Sequence, residues 1–346
     1  MPRVAVGLLL TAALVAGCTS APPVVQETAA PTAPAPRSST PSTTTSPPAT
    51  TTAPSPTATP APPLSPETVF AKTYDGRNLQ QVREIGSTAA YQQYFATFDG
   101  DGLTISGRLL VPRGNGPFPA VVLAHGYADP AVYDNTSQMS RERDYLARQG
   151  YVTLLVDYRN HAQSSKDPNA DATLRLGYAA DVINAAKALQ QDPRVKPDRI
   201  ALMGRSMGGG VVMKALIAEP GLVRAASLWA SVSSLEGENF NQFVRADGDS
   251  RRDVIVQAHG LPEQRPAFWR GVSARPYLSR ITEPVLMVHG RLDDTCPPRW
   301  ARATYAAMRR AGVDSTLEWY DDGHAFGPAF TAAMDRTIRY LDNRLA

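Results

Sequence analysis

Serine hydroxyls are common and chemically quiet, so the neighbours of Ser206 matter more than the serine itself. It stands in Gly204-Arg205-Ser206-Met207-Gly208, between a strand-like RIALM and a helix-like VVMKALIAE. A sharp strand-to-helix turn in that context lifts the hydroxyl above the strand ends. The unpaired N–H groups at the helix start, Met207 first, then face any negative charge developing on a substrate oxygen. Side chains at 204 and 208 are expected to collide across so tight a turn, which accounts for both glycines. A hydroxyl also needs a base beside it to attack at neutral pH. The chain has five histidines. His125 and His289 sit in His-Gly pairs at strand ends, where a structural or oxyanion-side role is expected. His161 follows a strand ending in Asp157-Tyr158-Arg159, and His259 lies in a long insertion. His324, in Asp322-Gly323-His324, comes directly after the last strand-like run and before the last helix-like one. An acid that orients the imidazole is available in Arg291-Leu292-Asp293-Asp294, where either aspartate has the required chemistry.

The elements that must position these groups alternate in type. YQQYFATF (91–98) and LTISGRLLV (103–111) flank Asp99-Gly100-Asp101-Gly102 and predict an antiparallel hairpin. Four apolar runs of the kind buried in a parallel sheet follow: AVVLAHG (120–126), YVTLLVDYR (151–159), RIALMGRS (199–206) and AASLWAS (225–231). PVLMVHG (284–290) and STLEWYDDG (315–323) complete the set. Between them, 140–150, 177–190, 300–312 and 331–345 are spaced as one-sided helices, with Gly150 as a stop. The pattern predicts a mostly parallel α/β sheet with helices on both faces. Residues 232–280 interrupt the rhythm with more chain than one crossover needs, and are expected to form a helical cap.

Composition divides the chain of 346 residues before the fold begins. Residues 1–17 have Arg3 followed by an apolar run too short to span a bilayer, the pattern of a signal peptide. Val15-Ala16-Gly17-Cys18 resembles the lipobox of bacterial lipoproteins, which implies cleavage before Cys18 and acylation of its thiol. Residues 18–66, after Cys18 almost entirely Ala, Pro, Ser and Thr, are expected to be a disordered, extended stalk. At about 3.1 Å per residue, such a stalk reaches on the order of 100 Å. Half of the 30 prolines fall in the first 66 residues, leaving 67–346 for one large domain. The net charge of +3 comes from 35 basic and 32 acidic residues, without a basic stripe, which argues against nucleic acid as a partner. Two cysteines, Cys18 and Cys296, give neither a disulfide framework nor a zinc spacing. No metal and no cofactor is expected, the lipid anchor is the only membrane contact expected, and oligomeric state is not legible.

From about residue 95 onward the chain resembles the catalytic domain of the prolyl oligopeptidase family and its dienelactone-hydrolase-like relatives. The resemblance lies in AVVLAHGYADP, YVTLLVDYRNHAQSS, RIALMGRSMGGG, YLSRITEPVLMVHGRLDDTCPP and DDGHAF. It implies an α/β-hydrolase fold, whose base follows the last strand, and so selects His324. Asp293 lies where the family's H-G-x-x-D-x-x-V-P pattern has its acid, which favours it over Asp294. The order Ser206, Asp293, His324 is the one this fold uses. The resemblance further places the second oxyanion donor in the loop His125-Gly126-Tyr127, as the N–H of Tyr127 beside that of Met207. The implied reaction forms an acyl-enzyme on an ester or a short peptide. Two departures favour a carboxylesterase over a peptidase. The stalk leaves no room for a β-propeller, and Gly126-Tyr127-Ala128-Asp129-Pro130 lacks the Gly-Gly-Pro run of peptidase members. Acyl transfer to an envelope lipid or glycan, and binding by a non-catalytic lipoprotein, are the alternatives.

Overall fold

A computed structural model describes residues 70, 72–246 and 249–346. The signal peptide, Cys18 and the stalk lie outside the described residues. Among the described residues nine strands form one sheet in the order β1-β2-β3-β5-β4-β6-β7-β8-β9. The expected hairpin is β2 (Tyr91–Gly100) with β3 (Leu103–Pro112). Asp101 and Gly102, at φ 58° and 75°, form its two-residue turn. Both angles are positive, as the strand twist demands of so short a loop. β3 then pairs antiparallel with β5 (Val152–Val156). From there β4 (Phe118–Ala124), β6 (Val195–Arg205), β7 (Ala225–Trp229), β8 (Val285–Gly290) and β9 (Ser315–Tyr320) are all parallel.

Alternation along the central strands builds two cores. Ala120, Val122 and Ala124 of β4 belong to one, with α2 (Gly177–Gln190), α3 (Met207–Ala218) and α7 (Pro298–Arg310). Val121 and Leu123 belong to the other, with α1 (Ser140–Arg148) and α8 (Phe330–Leu345). Each fully buried Leu or Val contributes roughly 1.5–3 kcal/mol, so burial on both faces anchors the central strands. Gly150, at φ 87°, ends α1 as expected.

One strand escaped the sequence reading. β1 (Arg77–Ser87) runs antiparallel to β2 at the sheet edge, with most of its residues exposed. Its sequence RNLQQVREIGS has no apolar alternation because, apart from Leu79, its side chains lie outside the cores. The helix α2 is buried on more than one side, with Gly76 and Gly100 against Asn184 and Arg159 on Asp181. Asp181 and Asn184 are covered there in addition to the apolar face.

β4 and β6 are neighbours, but the chain leaves β4 toward β5 on one side and returns to β6 on the other. Crevices beyond the carboxyl ends of strands form at such a switch point. Both the loop after β4 and Ser206 after β6 open onto it.

Candidate active site

Ser206 occupies φ 57°, ψ −122°, as the residue immediately before α3. A non-glycine residue there costs on the order of 1–3 kcal/mol and persists only where its surroundings hold it. The restraints are specific. Ser206 N–H donates to Trp229 C=O at the end of β7 (2.9 Å). Its own C=O accepts from Gly209 N–H (3.0 Å) and Val232 N–H (3.2 Å). A Cβ on Gly204 would lie 2.2 Å from the Gly208 carbonyl oxygen, so this glycine does serve the closure across the turn. Gly208 differs from the expectation. A Cβ there would strike the backbone of β4, 1.9 Å from the Ala124 oxygen and 2.6 Å from the His125 oxygen. Its role is to let the new helix pack onto the neighbouring strand.

The structure brings Asp293 and His324 together. His324 Nδ1 lies 2.9 Å and 3.1 Å from the two Asp293 carboxylate oxygens. The Asp293 side chain is fully buried, and its Oδ1 also accepts from Thr295 N–H (3.0 Å) and Cys296 N–H (2.8 Å). Asp294 is exposed and accepts only from the Thr295 hydroxyl (3.3 Å), so it does not face the imidazole. Beneath the pair, His289 Nε2 donates to Cys296 C=O (2.9 Å). Burial lowers the pKa of His289 and keeps it neutral.

The loop bearing His324 is tied down from several directions. Asp322 accepts from Gly323 N–H and Ala329 N–H, both at 2.8 Å. Arg141 on α1 donates to Ala325 C=O (2.7 Å) and Phe326 C=O (3.0 Å). Arg205, one residue before Ser206, donates to His324 C=O (3.1 Å) and to the buried Glu142 carboxylate (3.0 Å). One guanidinium thus joins the serine turn, the histidine loop and α1. Arg141, Glu142 and Arg205 were missed by sequence reasoning, since their long-range partners have no local signature.

Cys296 links the nucleophile to the acid. Its thiol lies beside the Ser206 hydroxyl while its N–H binds Asp293. Burial, and then the Asp293 charge, push the thiol up to about 12. It remains protonated and unreactive at neutral pH.

The loop after β4 reaches the serine from the other side. A Cβ on Gly126 would sit 3.3 Å from Ser206 Cβ and 3.8 Å from its Oγ, so the bare backbone passes directly over it. His125 is fully buried, its ring against Tyr133 and Tyr158, and burial lowers its pKa to about 3. The neutral ring donates from Nδ1 to Gly126 C=O (2.6 Å). In a trans peptide that carbonyl points opposite to the N–H of Tyr127, so His125 sets the direction of that N–H. Among the described residues no backbone acceptor takes the N–H of Tyr127 or of Met207. The Tyr127 ring is half exposed, between the guanidinium groups of Arg175 (5.0 Å) and Arg251 (4.7 Å). His161 is buried beside His125, and His259 stacks on Phe268 in the insertion, so neither approaches the Asp293–His324 pair.

A cavity of about 250 Å³ opens next to Ser206, Met207 and Tyr127. Its roof is the insertion expected to form a cap. Residues 232–280 fold into α4 (Glu236–Phe243), α5 (Ser250–His259), α6 (Pro266–Gly271) and a 3-10 turn at Arg275–Arg280. Phe240, Ile255, Trp269 and Val272 gather with Leu174 into a small core of their own.

Comparison with known proteins agrees with this architecture. Residues 136–344 match the prolyl oligopeptidase family. A Bacillus subtilis protein described as the uncharacterized peptidase YuxL is 26% identical over 71% of this chain and 37% of its own length. This chain therefore spans about a third of that relative. The thiohydrolase aneE of Aspergillus aculeatus is 28% identical over 71% of this chain and 91% of its own length. Among solved structures, the acetyl xylan esterase of Paenibacillus sp. R4 superposes with a TM-score of 0.60 at 21% identity, covering 80% of this chain and 92% of that one. Dipeptidyl peptidase 4 of Porphyromonas gingivalis gives the same TM-score over 74% of this chain and 36% of that one. With an α/β-hydrolase sheet and a family match over more than half its length, this chain belongs to the prolyl oligopeptidase family and is a serine hydrolase.

Proposed function

We propose that this enzyme hydrolyses esters through an acyl-enzyme on Ser206, with His324 as base and acid and Asp293 as the group that orients it. The observation that supports this best is the buried Asp293 carboxylate on His324 Nδ1, which leaves Nε2 as the proton-accepting edge. Ser206 Oγ attacks the carbonyl carbon and His324 Nε2 takes the hydroxyl proton. The oxyanion accepts from Met207 N–H and Tyr127 N–H. As the intermediate collapses, the C–O bond to the leaving group breaks and His324 returns the proton to the departing alcohol. Water then repeats the sequence on the acyl-enzyme, releasing the acid and restoring Ser206.

Ester rather than peptide bonds are the favoured substrates. The relative matched over nearly its full length is a thiohydrolase by name, and a thioester has the reactivity of an activated ester. A panel of p-nitrophenyl esters beside aminoacyl and prolyl arylamides tests this; turnover confined to the arylamides would contradict it. For location, the Val15-Ala16-Gly17-Cys18 sequence supports a lipid anchor at Cys18 on the outer face of the cell membrane. No helix among the described residues is long and apolar enough to cross a membrane. Cys18→Ser should move the protein from the detergent phase to the aqueous phase. If both forms partition into water, the anchor does not exist.

A further inference from the structure

The cavity beside Ser206 has a direction and a chemically distinct far end. Met207, Gly210, Val211 and Lys214 line it, the i, i+3, i+4, i+7 face of α3. From Ser206 to Lys214 is eight residues, about 12 Å along the helix at 1.5 Å per residue. Between those points the walls are largely apolar, with Leu174, Tyr178, Phe240, Ile255 and Trp269, and the other charged lining residues are paired, Arg175 with Asp171 and Arg251 with Asp249. Gly210 lets the roof approach; a Cβ there would lie 2.7 Å from a Val232 methyl.

At the far end stands an ion pair. Lys214 Nζ donates to Glu236 Oε2 at 2.9 Å, with both side chains less than one-fifth exposed. Asn239, beside them, accepts from Ser233 N–H through Oδ1 and donates from Nδ2 to Ser233 C=O (3.0 Å) and to Glu236 Oε2 (3.5 Å). Lys214 keeps N–H groups to spare, and Glu236 Oε1 has no hydrogen-bond partner among the described residues. The pair thus offers one donor and one acceptor at zero net charge. A neutral hydroxyl uses both at once. A carboxylate would face Glu236 and an ammonium would face Lys214, and either leaves a buried charge unbalanced.

The cavity also lies on one side of the reacting bond. Ser206, Met207 and Tyr127 border it, but neither His324 nor Asp293 does. The leaving group must depart beside His324, which gives it a proton, so the cavity receives the part of the substrate that stays on Ser206.

From this we propose that the Lys214–Glu236 pair is a specificity site for the acyl group: the enzyme takes esters whose apolar acyl arm ends in a neutral hydroxyl about 10–12 Å from the carbonyl. The proposal rests on the assignment of Ser206 and His324, and the test separates the two. Full-length protein is assayed with p-nitrophenyl esters of acetate, octanoate, 8-hydroxyoctanoate, nonanoate and 9-hydroxynonanoate. Wild type should favour each hydroxylated acyl group over its plain counterpart by at least about tenfold in kcat/KM, the scale of a hydrogen bond to a charged partner. Azelaic monoester, with a carboxylate at the arm's end, should be poorer than octanoate. In Lys214→Met/Glu236→Leu, where the pair is replaced by apolar groups, the hydroxyl preference should vanish or reverse. Acetate is too short to reach the pair and reports only on the chemistry. Turnover of acetate without a hydroxyl preference in wild type overturns the proposal while leaving the catalytic assignment intact. A preference that survives in the double variant overturns it as well. Absence of all ester turnover in wild type overturns both.

Discussion

The surroundings of Ser206 and the roof above it are built on different principles. At the serine, both backbone polar groups are hydrogen-bonded and glycines 204 and 208 allow contacts that no Cβ could share. Arg205 and Arg141 tie the histidine loop to the rest by side-chain donors. The roof rests on a satellite core of five buried residues, separate from the two cores that flank the sheet. Its helices are short, between six and ten residues, and the α6 segment begins on Pro266. Chemistry needs reacting groups held to a fraction of an ångström, whereas a substrate-covering segment needs only enough order to enclose an arm. The first region is over-determined and the second is lightly held.

That contrast can be broken at its rigid end. Gly208→Ala places a methyl group 1.9 Å from a carbonyl oxygen of β4, where neither backbone can yield. It should cost more than about 4 kcal/mol of stability and abolish fluorophosphonate labelling. A soluble, labelled Gly208→Ala protein would show the serine turn to be more compliant than described. Next in size is Asp293→Asn, which keeps the shape but reverses the preferred imidazole tautomer. A loss of about 10⁴-fold in kcat is expected with little change in melting, whereas Asp294→Asn should stay within a few-fold. Equal effects at the two positions would remove Asp293 from its role.

The same truncation in each region sharpens the comparison. Trp229 is fully buried between Phe326, Phe330 and the Thr337 hydroxyl, and its carbonyl holds Ser206 N–H. Trp229→Ala should cost roughly 3–5 kcal/mol in global unfolding. Trp269 is also buried, but within the roof, against Phe240 and Phe268. Trp269→Ala should lower the thermal midpoint less and raise KM for long acyl esters more than for acetate. A larger global loss at Trp269 than at Trp229 would mean that the roof is part of the main cooperative unit.

The smallest expected effect is a pH dependence. His125 is held neutral in the fold, with its pKa lowered from 6.5 to about 3, chiefly by burial. His161 and His289 are lowered for the same reason. Unfolding frees these rings to take protons below about 6.5, whereas the folded state resists until much lower pH. Their contribution to stability is therefore full above pH 6.5 and declines below it, for His125 as pH falls toward 3. Urea denaturation at graded pH should show that decline, with a shallower slope in His125→Phe. A flat profile between pH 7 and 4.5 would show that the rings are charged or solvated in the fold.

Much of this arrangement was legible in the sequence wherever a residue's job is local. The Asp101-Gly102 turn, Gly204 before Ser206 and the continuous apolar runs of β4 to β8 each satisfy a constraint within a few residues of themselves. β1 was hidden because an edge strand that gives little more than Leu79 to a core needs no pattern. The purpose of Gly208 was half legible: its smallness showed, but the object it approaches lies about 80 residues earlier in the chain, on β4. Arg205 and Arg141 read as ordinary surface charges, since their acceptors are carbonyls more than 100 residues away. The choice between Asp293 and Asp294 needed a resemblance in sequence. In three dimensions burial alone distinguishes them.

The central claim is that the acyl group is carried by Ser206. It is tested most directly by treating the protein with a fluorophosphonate, digesting it and locating the adduct by tandem mass spectrometry. The account predicts a single adduct on Ser206, none on the buried Cys296 thiol, and no adduct in Ser206→Ala protein of unchanged melting temperature. An adduct on any other side chain, or undiminished labelling of Ser206→Ala, would contradict it.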